Sequence, residues 1–268
     1  MPHLFRTLIV EPLEQAERAS APEFSKSAVV VLLSVPFLLT LREYAVSDGR
    51  CWDLLAALRE IMPSSAGLEA WWSTLDAPPN RRLTELIFWS LAQALSYLIL
   101  PALIVKFVLR QSLTDYGLKV RGACSKWWVY LAMYLVMLPF VLAIANTGEF
   151  QFTYPFYKPP QGEPLWPRFC LWQVAYAAQF VSLEFFFRGY MIHGTKRALG
   201  AYSILVMTIP YCMIHFGKPL PEVLGAIGAG VVLGFMSLST RSIWLGAMLH
   251  IAVAVTMDFA ALWHADRW

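Results

Sequence analysis

Residues 169–187 read Phe169-Cys-Leu-Trp-Gln-Val-Ala-Tyr-Ala-Ala-Gln-Phe-Val-Ser-Leu-Glu184-Phe-Phe-Phe187, and Arg188 follows directly. A helix needs about 20 mostly apolar residues to cross ~30 Å of hydrocarbon at a rise of ~1.5 Å per residue. This stretch has the length and the composition of such a span, yet it carries a glutamate near its end. The same rule selects six further segments: 27–41, which is short and contains Pro36, then 86–105, 127–146, 201–216, 223–240 and 242–263. The predicted fold class is therefore all-α: a polytopic transmembrane helix bundle of about seven spans, six to eight being possible, with the candidate site in a cavity among the C-terminal four helices, where that glutamate lies.

Composition agrees. Of 268 residues 58% are hydrophobic and only 15% charged, with 11 Trp, 11 Tyr and 17 Phe, and the mean hydropathy is +0.53. A soluble domain is about 45–50% apolar and about 25% charged. The charge is too sparse to coat a globule or to mark a disordered chain, and a net charge of +3 gives no basic surface for nucleic acid. Cys51, Cys124, Cys170 and Cys212 show neither CxxC nor metal-ligand spacing, so a disulfide scaffold is excluded. Cys170 and Cys212 lie in apolar runs and read as packing residues.

Outside the spans, the first 26 residues mix both charges. The acids Glu11, Glu14, Glu17 and Glu23 precede the first apolar run, which does not fit a secretory signal. Residues 43–85 form a long extramembrane stretch with Trp71, Trp72 and an amphipathic segment at 52–61, either a surface-lying helix or a plain loop. The basic loop 106–126 and the pair Lys196 and Arg197 favour a cytoplasmic N-terminus, with the Pro-rich loop 147–167 outside; five Arg in 43–85 dissent. The expected division is an N-terminal region, 1–110, and a membrane core, 111–268.

Ionisable groups inside spans are costly and by default mark functional sites. Glu184 and Arg188 are four apart and share one helix face; a structural ion pair is the plain alternative. His215 ends the fifth span and His250 lies inside the seventh. If the fourth and fifth helices turn at Gly200, Glu184 and His215 both lie about 23 Å from the turn, at one depth. The sequence Phe216-Gly-Lys-Pro-Leu-Pro221 cannot continue a helix smoothly, and irregular backbone at membrane depth must line a cavity. A carboxylate held by an arginine, near water and two histidines, suits general-base hydrolysis with histidine donors on an oxyanion. Glu plus two His also matches a zinc hydrolase in residue type, but the HExxH spacing is missing, so the metal-free reading is preferred and no metal or cofactor is expected.

The pattern LEFFFRG, then YxxxH, then HxxxA resembles the three motifs of the CPBP family, the CAAX-protease and bacteriocin-processing membrane proteins, whose pattern is EExxxR, FxxxH and HxxxN. Residues 112–118 also resemble a segment that often precedes that family's core, and the likeness covers roughly 112–262. It implies a glutamic-type intramembrane endopeptidase acting on a membrane-anchored or exported protein, in tail processing or C-terminal sorting, with Glu184, Arg188, His215 and His250 as the catalytic residues. It also implies an integral protein of a bacterial inner membrane, with the lipid bilayer and a peptide or anchored protein as partners, and no nucleic acid. Three positions depart from the pattern. Leu183 stands where the family has the first glutamate, Tyr211 where it has Phe, and Ala254 where it has Asn; Asp258 or Glu222 would be the acids available to compensate. Two other classes stay open: a catalytically inactive relative serving as an immunity or assembly factor, and a proton-coupled transporter using Glu184 and His215. The latter lacks the internal repeats common in transporters.

Overall fold

The structure, a computed structural model, describes residues 6–11, 14, 25–45, 50–62 and 64–265. Most of the polar N-terminal segment just discussed lies outside these residues. The described chain is helical, without a strand; Leu118 and Ser242 form an isolated antiparallel bridge.

The helices are α1 (Lys26–Ala45), α2 (Arg50–Ile61), α3 (Ala66–Asp76), α4 (Pro78–Val108), α5 (Ala123–Ile144), α6 (Gly148–Thr153), α7 (Arg168–Leu199), α8 (Tyr202–Met213), α9 (Leu220–Thr240) and α10 (Trp244–Ala265). Six of them, α1, α4, α5, α7, α9 and α10, are long and apolar enough to cross a membrane. The expected fifth span is shorter than predicted. Helix α8 has 12 residues, about 18 Å of rise, and ends before the turn at 214–219. The amphipathic segment at 52–61 is helical, as α2.

The spanning helices are apolar on their outer faces. On α5 Trp127, Leu131, Leu135, Val136 and Phe140 all point outward, and only Ala123, Tyr130 and Val141 are buried. Such a helix needs a lipid solvent rather than water. Cys170 also faces outward rather than packing inside, and all four cysteines are free thiols.

Helix α7 is the axis of the bundle. Its middle, from Ser182 to Thr195, is buried without interruption. Helix α4 runs parallel to it: Trp89 meets Trp172 at one level, and Tyr97 stacks on Phe186 with centroids 4.7 Å apart at the other. The core around Phe185, Phe186, Phe187 and Tyr190 takes Val31 and Val35 from α1, Met207 and Tyr211 from α8 and Ala226 from α9. A second core, around Trp172 and Tyr176, receives Tyr157 and Leu165 from the 154–167 loop. That loop is tied down by Tyr157, whose hydroxyl donates to the Pro79 carbonyl (3.2 Å), and by Lys158, which donates to the Gln151 and Phe152 carbonyls. Helix α7 ends at Leu199 and the chain reverses at Gly200, the turn the depth argument requires.

Candidate active site

Four residues singled out in the sequence come from three elements. Glu184 and Arg188 lie on α7, His215 follows the end of α8, and His250 lies on α10. The α7 pair sits at a local widening. Residues Phe185–Met191 form a π-helical stretch, in which the Ile192 N–H reaches back five residues to the Phe187 carbonyl. Such bulges inside α-helices are frequent at functional sites.

The widened turn is braced from two sides. Ser237 on α9 donates its hydroxyl proton to the Arg188 carbonyl (3.1 Å). His193 Nε2 lies 3.1 Å from the same hydroxyl, and Lys196 Nζ donates to His193 Nδ1 (2.9 Å), so Nδ1 is the acceptor and Nε2 carries the ring proton. On the other side, Gly189 lets the 112–118 segment approach: a Cβ there would stand 2.5 Å from the Tyr116 carbonyl oxygen.

Glu184 and Arg188 are each only about 1% exposed, and Arg188 Nη1 lies 3.0 Å from Glu184 Oε1. The approach is a close ion pair without an aligned N–H, since Nη1 and Nε make no hydrogen bond. The guanidinium is held instead by Nη2 donating to the Ala229 carbonyl (3.3 Å) and by the Tyr211 ring, 3.9 Å from Cζ. An isolated charge in this setting would be expensive; the pair brings the local sum to zero.

His250 Nδ1 lies 2.8 Å from the same Oε1. A carboxylate only accepts, so Nδ1 carries the proton. Arg188 already neutralises Glu184, so a neutral imidazole keeps the cluster uncharged, and its Nε2 then accepts from the Tyr211 hydroxyl at 3.0 Å. His215 Nδ1 lies 2.8 Å from the Tyr211 carbonyl, which fixes its proton on Nδ1 in the same way. The rings of Tyr211 and His215 meet edge to face at 4.8 Å. Glu184 thus touches both Arg188 and His250 directly, while His215 joins them through Tyr211.

A cavity of about 790 Å³ opens beside this cluster. His215, Gln179, Phe180, Leu183, Lys218 and Glu222 are among its walls; Glu184, Arg188, Tyr211 and His250 are not. The turn after α8 therefore lines a cavity, as irregular backbone at membrane depth must. Phe180 separates cavity from site and stacks on His250 at 5.2 Å. Leu183 presents an apolar side chain where an acid would face the cavity.

Asp258 and Glu222 bond elsewhere. Asp258 accepts from Gln173 Nε2 (2.6 Å) and Trp172 Nε1 (3.3 Å), and Glu222 accepts from the Tyr154 hydroxyl beside Lys218. Ala254 packs in the Trp172 core. Glu184 Oε2 is buried and makes no hydrogen bond. It faces Gly246, where a Cβ would come within 2.7 Å of it. Among the described residues no group of three or more His, Cys, Asp or Glu could hold a metal ion.

Tyr211, Gly246, Ser237 and His193 were not singled out as site residues by the sequence reading. A signal existed for two of them. Tyr211 precedes His215 by four residues and Gly246 precedes His250 by four, so each shares its histidine's helix face.

Residues 164–256 match the family model for Rce1-like proteins, type II CAAX prenyl endopeptidase Rce1-like. The matched segment contains Glu184, Arg188, His215 and His250. No curated protein and no solved structure matches the chain. The match bears out the resemblance to the CPBP family over that segment and supports a CAAX-type intramembrane protease in general. With the six apolar helices, it makes the chain an integral membrane protein.

Proposed function

We propose that this CAAX-endopeptidase-like core is an active intramembrane endopeptidase. It hydrolyses a peptide bond of a membrane-anchored or exported protein in a bacterial inner membrane, by water that Glu184 activates. The observation that carries this reading is the unequal use of the Glu184 carboxylate. Oε1 is committed to both Arg188 and His250, whereas Oε2 has no partner and is left to take a proton. Arg188 offsets the carboxylate's charge and His250 fixes its plane, which is the preorganisation a general base needs. Substrate reaches the site from the cavity, past Phe180 and Leu183, with His215 on the wall beside the scissile bond.

The test is cleavage of lipid-anchored fluorogenic peptides in proteoliposomes, comparing Glu184→Gln and His250→Ala with the unmodified chain. Loss of cleavage in both supports the reading, and undiminished cleavage in both rules it out. One observation favours a second reading, an inactive relative acting as an immunity or assembly factor. The cavity wall carries Leu183 rather than an acid, and Glu184 lies behind it. That reading predicts a cellular phenotype that survives Glu184→Gln and is lost only when the fold is lost.

A further inference from the structure

The arrangement of ring protons raises a difficulty for the expected roles of the histidines. His215 and His250 each hold their Nδ1 proton against an acceptor, the Tyr211 carbonyl and the Glu184 carboxylate respectively. A neutral imidazole has only one N–H. Neither ring can then offer a hydrogen bond from Nε2 to an oxyanion. Arg188 is turned to Glu184 and the Ala229 carbonyl, with its face covered by the Tyr211 ring. One neutral donor is left at the centre of the cluster: the hydroxyl of Tyr211, held 3.0 Å from His250 Nε2.

Building on the endopeptidase reading, we propose that Tyr211 is a catalytic residue, and that its O–H, rather than either histidine, donates the hydrogen bond that stabilises the tetrahedral oxyanion. The hydroxyl proton is a rotor; it turns from His250 Nε2 to the substrate oxygen without displacing the ring. In the step, the water oxygen bonds to the carbonyl carbon and its proton passes to Glu184 Oε2. The carbonyl π pair moves to oxygen and is met by the Tyr211 O–H. Collapse re-forms the C=O and breaks the C–N bond, and the Glu184 proton goes to the leaving amine. The ledger of atoms, protons and electron pairs closes with no further reactant.

Tyr211→Phe deletes one oxygen and keeps the ring over Arg188 and against Phe187. Removal of one oxyanion donor costs about 10²–10³-fold in kcat. The expected result is a loss of that size in kcat, with KM within a few-fold, in the proteoliposome assay. In the unmodified chain kcat should hold as pH rises from 7 to 9, because a neutral hydroxyl keeps its proton there. A fall in kcat of about tenfold per pH unit over that range would assign the donor to a histidine cation and overturn the proposal, as would a Tyr211→Phe enzyme within threefold of the original.

A peptide aldehyde, whose hydrate mimics the tetrahedral intermediate, supplies a readout that does not need turnover. It should bind the unmodified chain about 100-fold more tightly than Tyr211→Phe, while the parent peptide binds both alike; equal aldehyde affinity overturns the proposal. Glu184→Gln, measured alongside, separates the two levels. Full activity in that variant removes the glutamate mechanism itself. Loss in Glu184→Gln with none in Tyr211→Phe leaves the mechanism standing and removes only the tyrosine.

Discussion

Gly246→Ala adds a single carbon at the one place where the Glu184 carboxylate meets another helix without a side chain between them. The new Cβ would lie 2.7 Å from Oε2 and 3.5 Å from Cδ, against an ordinary contact of 3.4 Å or more, so the oxygen falls about 0.7 Å short of room. The carboxylate has little freedom to retreat. Its other oxygen is pinned by His250 at 2.8 Å and Arg188 at 3.0 Å, and the residue is about 1% exposed. Either the ion pair stretches or α10 moves away from α7. Overpacking of this kind costs about 1–3 kcal/mol, and the displaced carboxylate should reduce cleavage by roughly tenfold or more, since ~1.4 kcal/mol of lost transition-state stabilisation is a factor of ten.

The assay is thermal unfolding in detergent together with the proteoliposome rate. Gly225→Ala on α9 is the internal control. A Cβ there meets nothing within 4 Å, and replacing a helical glycine by alanine in open space gains up to about 1 kcal/mol. The two substitutions should therefore move the unfolding temperature in opposite directions. A Gly246→Ala chain as stable and as active as the original would refute the reasoning, because it would mean that Glu184 does not stand against α10.

Other expectations are equally specific. Glu184→Gln leaves the buried Arg188 charge without its partner; breaking a buried pair costs about 3–5 kcal/mol, so a marked drop in unfolding temperature should accompany loss of cleavage. Ser237→Ala strips a donor from the Arg188 carbonyl and a partner from His193; it should destabilise by about 1–3 kcal/mol and lower, without abolishing, the rate. Burial pushes the Cys51 thiol on α2 up to about 11. Below that value the thiolate fraction is small but grows about tenfold per pH unit, so maleimide labelling of Cys51 should be far slower than that of exposed Cys124 at pH 7 and should rise roughly 100-fold between pH 7 and 9; mass spectrometry of labelled peptides reads both.

The sequence made the spans legible because a bilayer imposes one rule on every crossing helix. It also made Glu184 and Arg188 legible, because a charge in an apolar run stands out and a separation of four places both on one face. The level of His215 followed from counting residues on either side of Gly200. Other features were hidden for physical reasons. The widened stretch Phe185–Met191 is a choice of hydrogen-bond partner that no single side chain announces. Helix α8 appeared to be a full span because Ile214 and Phe216 extend its apolar run on either side of His215, although Gly217 and Pro219 deny them helical geometry. The suggestion that Asp258 or Glu222 might replace the missing acid failed for want of a direction: each points to its own partners, Gln173 with Trp172 and Tyr154 with Lys218. Tyr211 was visible only as a mild replacement, since a sequence names a hydroxyl without saying which nitrogen it meets.

The widened turn in α7 also fixes a length. A π-bulge amounts to one residue inserted into an α-helix. Deleting one residue between Glu184 and Ile192 would restore regular winding, and because the widened turn already absorbs one residue, the helix beyond it would keep nearly the same facing. His193 and Gly194 would still meet α9 and α1, and the change would fall on the stretch from Phe185 to Met191, where Arg188 and Gly189 are placed. The extra residue thus sets where Arg188 and Gly189 point within α7, and a chain that lost one of its neighbours there would keep its bundle and misplace the arginine of the site.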